Sequence, residues 1–192
     1  MPRRTFIIVL FVGAWLAGAG WQTAFAAEDP AAPIDRPEWR VCSTTAARVP
    51  DTIQMQTRLR REVAHMLRAS PTFRAQCHLI ADARGVQVQL RNDLYGEHLS
   101  YRARSIIHRL RSGELVALVD LPVLGNPTEW IAHEFEHILE QIEGQRLPAL
   151  VGKVRGVWQS SSGMFETLRA IKAGRTVAAE VREYDDTYKD VE

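Results

Sequence analysis

His133, Glu134 and His137 are the residues whose types and spacing most plainly offer chemistry. They lie in His133-Glu134-Phe135-Glu136-His137, an H-E-x-x-H match. On a helix, imidazoles at i and i+4 stand one above the other, about 6 Å apart by helical rise. Both can then reach one zinc ion at about 2.0–2.1 Å. Glu134 follows the first His directly, so its carboxylate sits beside the ion without binding it. From there it can act as general base toward a water on the ion. The reading that follows is a small zinc metallohydrolase, a peptidase before other hydrolases.

The motif has this meaning only on a helix, and its flanks predict one. Asn126 is placed to cap, Pro127 suits the first helical position, and Glu129 falls at the third, as in a capping box. Ile131, Phe135, Ile138, Leu139 and Ile142 recur at helical spacing and form an apolar stripe. His133, His137 and Glu140 fall on a neighbouring face. Gly144 is a natural stop. Two His on a helix can also be ordinary core or surface residues. A capped helix whose apolar stripe leaves both off the core favours the metal reading.

Residues 1–26 read as a signal peptide. Arg3 and Arg4 form a basic start, Phe6 to Ala19 an apolar stretch, and Ala24-Phe25-Ala26 a small-x-small cleavage site. The apolar stretch is short and broken by Gly13, Gly18 and Gly20, so no stable membrane anchor is expected. The expected destination is secreted or periplasmic. Losing Arg3 and Arg4 takes the formal charge from +1 to −1. Near-neutrality argues against nucleic acid as a partner. Cys42 and Cys77 are an even pair in an oxidising compartment, and a disulfide is the expected state.

The remaining length suits one domain, 51–190, behind a flexible Pro- and Ala-rich lead-in, 27–50. Asp51 to Ala69 carries Ile53, Met55, Leu59, Val63, Met66 and Leu67 near helical spacing, with Asp51 as cap and Ser70-Pro71 as stop. Its arginines, Arg58, Arg60, Arg61 and Arg68, read as a solvated face. Val86, Val88 and Leu90 alternate with Gln87 and Gln89 as a half-buried strand. Tyr101 to Leu110 reads as a second strand, Arg111 to Glu114 as a hairpin turn, and Leu115 to Val119 as a third, more deeply buried strand. His65, His98 and His108 read as structural. Gln145 to Ser162 is expected to be a loop. Met164 to Ala173 reads as a short helix with Glu166 in its first turn, broken by Gly174 from a last helix, Arg175 to Tyr188.

This α+β layout of N-terminal helix, small antiparallel or mixed sheet, H-E-x-x-H helix and C-terminal helices resembles the zincin metallopeptidases, chiefly through the motif helix. The resemblance implies that His133 and His137 are metal ligands and Glu134 the general base. It also implies that an extended peptide binds along Leu115 to Val119 or the strand beside it. In the metzincin branch a Gly stands three residues after the second His and a third His six after. Here those positions are Glu140 and Glu143, and no His follows His137. A carboxylate third ligand is therefore expected, as in the gluzincin branch. Glu166 is the first choice, with Glu183, Glu180 and Glu140 as alternatives. Tyr184, Tyr188 or a His would stabilise the oxyanion. Asp120 or Glu136 would fix the imidazole tautomers. The expected substrate is a peptide or cell-wall amide. The alternative is a non-catalytic zinc-binding or interaction protein on the same scaffold, for which Glu134 would have no use.

Overall fold

The computed structural model describes residues 48–92, 103–122 and 125–189. The predicted leader, most of the lead-in, Cys42 and His98 lie outside them. The fold is α+β, and a mixed four-stranded sheet carries it.

The first departure from expectation comes at once. Ile53 and Met55 do not open a helix; they belong to a short strand, β1 (Ile53–Met55), and α1 (Thr57–Ala69) starts after it. Spacing of two residues fits either period, and pairing with the next strand decides for β. Along α1, Leu59, Val63, Met66 and Leu67 are buried and the four arginines are exposed, the amphipathic division expected of it. Ser70-Pro71 ends α1 and also starts α2 (Pro71–Asp82), a helix not anticipated from sequence. The Ser70 hydroxyl accepts from Phe73 N–H at 2.9 Å and Pro71 occupies the first turn.

Strand β2 (Val86–Asn92) buries Val86, Val88 and Leu90 and exposes Gln87 and Gln89. β3 (Arg104–Arg109) and β4 (Leu115–Leu121) form the expected hairpin, with Gly113 at φ +89° in its turn. β4 alternates more than its apolar composition suggested: Leu115, Ala117, Val119 and Leu121 face the core, whereas Val116 is exposed. The order is β1-β2-β4-β3, parallel between β1, β2 and β4 and antiparallel between β4 and β3. One sheet face packs with α1, α2 and the motif helix in a single apolar core, in which Phe73 stacks on Phe135 at 5.4 Å.

The motif helix, α3 (Pro127–Ile142), has the predicted ends. Asn126 Oδ1 accepts the Glu129 N–H, and Gly144 at φ +81° lets Gln145 N–H return to Glu140 C=O at 2.9 Å. Beyond it the expected loop contains a short α4 (Leu147–Leu150) and the strand β5 (Val157–Gln159). β5 pairs antiparallel with β6 (Phe165–Thr167) through the Ser160–Gly163 turn. Glu166 is thus on a strand, not in a first helical turn. The last helix is continuous: α5 (Leu168–Lys189) runs through Gly174 without a break. Gly174 serves a close crossing instead, for a Cβ there would lie 2.7 Å from the Glu129 carbonyl oxygen on α3.

Candidate metal centre

Helix α3 presents His133 and His137 on one face, their ring centroids 4.9 Å apart. The β5–β6 hairpin brings Glu166 up to them from a different part of the chain. Glu166 Oε2 lies 3.2 Å from His133 Nε2 and 4.0 Å from His137 Nε2. One ligand atom from each of the three falls within 4.8 Å of the others, so the group could hold a metal ion.

A test of fit comes from His137. Its Nδ1 lies 2.8 Å from Glu140 Oε2, and its Nε2 is buried with no hydrogen-bond partner. A carboxylate only accepts, so in the neutral ring Nδ1 carries the proton and the Nε2 lone pair points at the gap between His133 and Glu166. Buried polar atoms are nearly always satisfied, and an orphan aimed at two other donor groups is what a cation would complete. Burial pulls the His137 pKa down, but the Glu140 bond and the negative charges of Glu134, Glu140 and Glu166 outweigh it, and the net displacement is upward.

Glu134 is 4% exposed and lines the cleft, yet makes no hydrogen bond or ion pair with any described residue. Its charge acts on His137, and a carboxylate facing the cleft is placed to serve as a base. The cleft has a volume of about 780 Å³. Its walls include Trp130, Trp158, Ile106 and Phe165, with the guanidinium-bearing Arg104 and Arg175. Residues 103–107, along β3 at the edge of the described sheet, form one side.

Of the alternative ligands, Glu140 and Glu180 are engaged in other bonds. Glu140 is taken up by His137 and by the Thr167 hydroxyl, which donates to Oε1 at 2.7 Å. Glu180 caps α2, accepting from the Ser70 hydroxyl, from Thr72 N–H and from Thr72 Oγ1. Glu183 is not in the donor group. The proposed tautomer-fixing residues need correction too. Asp120 is fully buried between Arg91 and Arg104, and Glu136 binds Gln76 and Arg169, whereas the carboxylate on His137 Nδ1 is that of Glu140. Tyr184 and Tyr188 lie tilted against one another, ring centroids 4.5 Å apart, with Tyr184 edge-on to His65, and neither lines the cleft. His65 pairs with Asp185 and His108 is exposed, in keeping with structural roles. Sequence reasoning missed Trp130, Trp158, Arg104, Arg175 and Thr167. Trp130, one turn before His133 on α3, could have been read from helical spacing; nothing in the local pattern marks the others, which reach the site only through the crossing of α5 on α3 and through the two hairpins.

No protein-family model matches this chain, and no curated protein or solved structure matches it.

Proposed function

We propose that the chain is a zinc-dependent metallohydrolase of the zincin type, cleaving peptide or cell-wall amide bonds after export. The observation that carries this reading is the buried, unpartnered Nε2 of His137, facing His133 and Glu166. Two imidazoles and one carboxylate are a donor set of catalytic zinc, which leaves a fourth position open. Bound there, the ion supplies Lewis acidity, lowering a water's pKa to about 7 and polarising a carbonyl. His133, His137 and Glu166 hold it. Glu134 takes the proton of the attacking water and hands it to the leaving amine, for which its place in the cleft beside His133, His137 and Glu166 suits it. Arg175 is an exposed cationic donor on the cleft wall, placed to reach a carbonyl oxygen as charge builds on it. An extended peptide lies along the edge of β3 and places its side chains between Trp130 and Trp158. The predicted leader and the near-neutral remainder suit a periplasmic or secreted protein acting on such amides.

The test is metal content and turnover measured together on the protein lacking residues 1–26. Peptide libraries and cross-linked cell-wall peptides serve as substrates. One zinc per chain is expected. Glu134→Gln should keep that zinc and lower turnover by about 10²–10⁴-fold. A protein that binds zinc, turns nothing over and is indifferent to Glu134→Gln would be the non-catalytic binder instead.

A further inference from the structure

Strand β6 delivers two consecutive side chains to opposite sides, as any strand must. Glu166 points into the cleft with 30% of its side chain exposed, and Thr167 points inward and is 2% exposed. The Thr167 hydroxyl accepts the Ala170 N–H at 3.0 Å, capping α5, and donates to Glu140 Oε1 at 2.7 Å. The other oxygen of Glu140 meets His137 Nδ1 at 2.8 Å. Glu140, on α3 and 1% exposed, thus has one oxygen occupied by the strand and the other by the ring.

We propose that Thr167 and Glu140 are positioning residues for the metal site: Thr167 orients the Glu140 carboxylate, which holds His137 as the Nδ1–H tautomer with Nε2 directed at the ion. The inference rests on the metal-site reading above and deepens it. It makes β6 a two-part device, in which one residue supplies a ligand and the next locks a second ligand on the neighbouring helix. The same junction is tied to α3 by Arg169, which donates to Glu136 at 2.6 Å and to both oxygens of Glu143. A rigid carboxylate behind the ring raises its basicity as well as fixing its plane, and loss of such a partner weakens metal affinity by about 10–100-fold. A hydroxyl that merely capped α5 would leave metal affinity unchanged when removed.

The experiment measures zinc affinity by chelator competition for wild type, Glu140→Gln, Thr167→Val and Thr167→Ser. Nitrogen NMR of His137 in the zinc-loaded wild-type protein accompanies it. Glu140→Gln should weaken binding about 10–100-fold and Thr167→Val about tenfold, while Thr167→Ser stays within about twofold of wild type. The NMR should place the proton on Nδ1 and the metal on Nε2. Metal on Nδ1 overturns the proposal, and this measurement stands even if Thr167→Val does not fold. Wild-type affinity in folded Glu140→Gln and Thr167→Val also overturns it while leaving the metal site intact. A wild-type protein that takes up no divalent zinc rejects both the proposal and the reading beneath it.

Discussion

Gly174 of α5 sits directly against Glu129 of α3: a Cβ on the glycine would come within 2.7 Å of the Glu129 carbonyl oxygen and 3.3 Å of His133 Cβ. This contact sets how near the C-terminal helix approaches the helix that carries both imidazoles. An alanine in mid-helix normally gains about 1 kcal/mol over glycine. Here the obstacle is backbone, which cannot swing aside, and overpacking of this kind costs about 1–3 kcal/mol. Gly174→Ala should therefore lower stability by up to about 2 kcal/mol net in urea unfolding, with weaker zinc binding. An increase in stability would mean that the two helices separate more easily than their packing implies.

The three proposed ligands should not respond alike to removal. His137 is buried and held by Glu140, whereas the Glu166 side chain is 30% exposed and hangs from a three-residue strand. His133→Ala and His137→Ala should each abolish stoichiometric zinc. Glu166→Ala should retain weak binding, because a water can take an open corner of the site. Elemental analysis after dialysis separates these outcomes. Full zinc in Glu166→Ala combined with loss in His133→Ala would reject Glu166 while sparing the motif.

Arg169 should matter far more to stability than its surface neighbours. It meets Glu136, which is 2% exposed, and forms a forked pair with Glu143. Taking a guanidinium from a buried carboxylate costs about 3–5 kcal/mol, since the charge left behind cannot reach water. Arg169→Ala should show a loss of that order in urea unfolding. Arg68→Ala, on the exposed face of α1, should stay within about 0.5 kcal/mol.

Much of the site was readable in the sequence because it is local. The H-E-x-x-H spacing, the Asn126-Pro127 start and the Gly144 stop fix α3 and its two imidazoles without help from the rest of the chain. The missing third His points only to a carboxylate. Glu166 is the first choice among several through the gluzincin resemblance, as a residue opening the next helix, and the structure puts it on a strand instead. Phe165-Glu166-Thr167 has no helical or strand signature of its own length. It becomes a strand because the Ser160–Gly163 turn folds it onto β5 and because Thr167 caps the following helix. Gly174 was read as a breaker on propensity, where close packing of two helices required it. Ser70-Pro71 was read as a stop, though the same pair is also a start. In each case long-range packing chose between two local meanings.

Cys77 lies in α2, 2% exposed among Phe73, Ile80 and the rest of the core, and burial pushes its thiol well above the usual range. The pairing with Cys42 expected from sequence falls outside the described residues. The buried setting makes a separate prediction. In a Cys42→Ser variant, Cys77 should resist iodoacetamide in the native state and react fully in denaturant, as followed by mass spectrometry. Rapid native labelling would show α2 opening on the timescale of the reagent.

The upward displacement at His137 gives a pH dependence whose sign can be worked out. A histidine whose pKa is higher folded than unfolded stabilises the fold fully below the unfolded value, about 6.5, and that contribution is lost as pH rises through the folded value. The chelator-treated protein should therefore lose this contribution on going from about pH 5 to about pH 9. Zinc competes for the same ring, so its binding must release the proton and its affinity must fall as the solution is acidified. The zinc-induced rise in Tm should accordingly be small at the acid end and large at the alkaline end. His137→Gln should flatten both trends, with thermal unfolding of metal-free and zinc-loaded samples as the measurement. If the metal-free wild type instead gained stability with pH across that window and His137→Gln gained it equally, the carboxylates around His137 would not be holding a proton there.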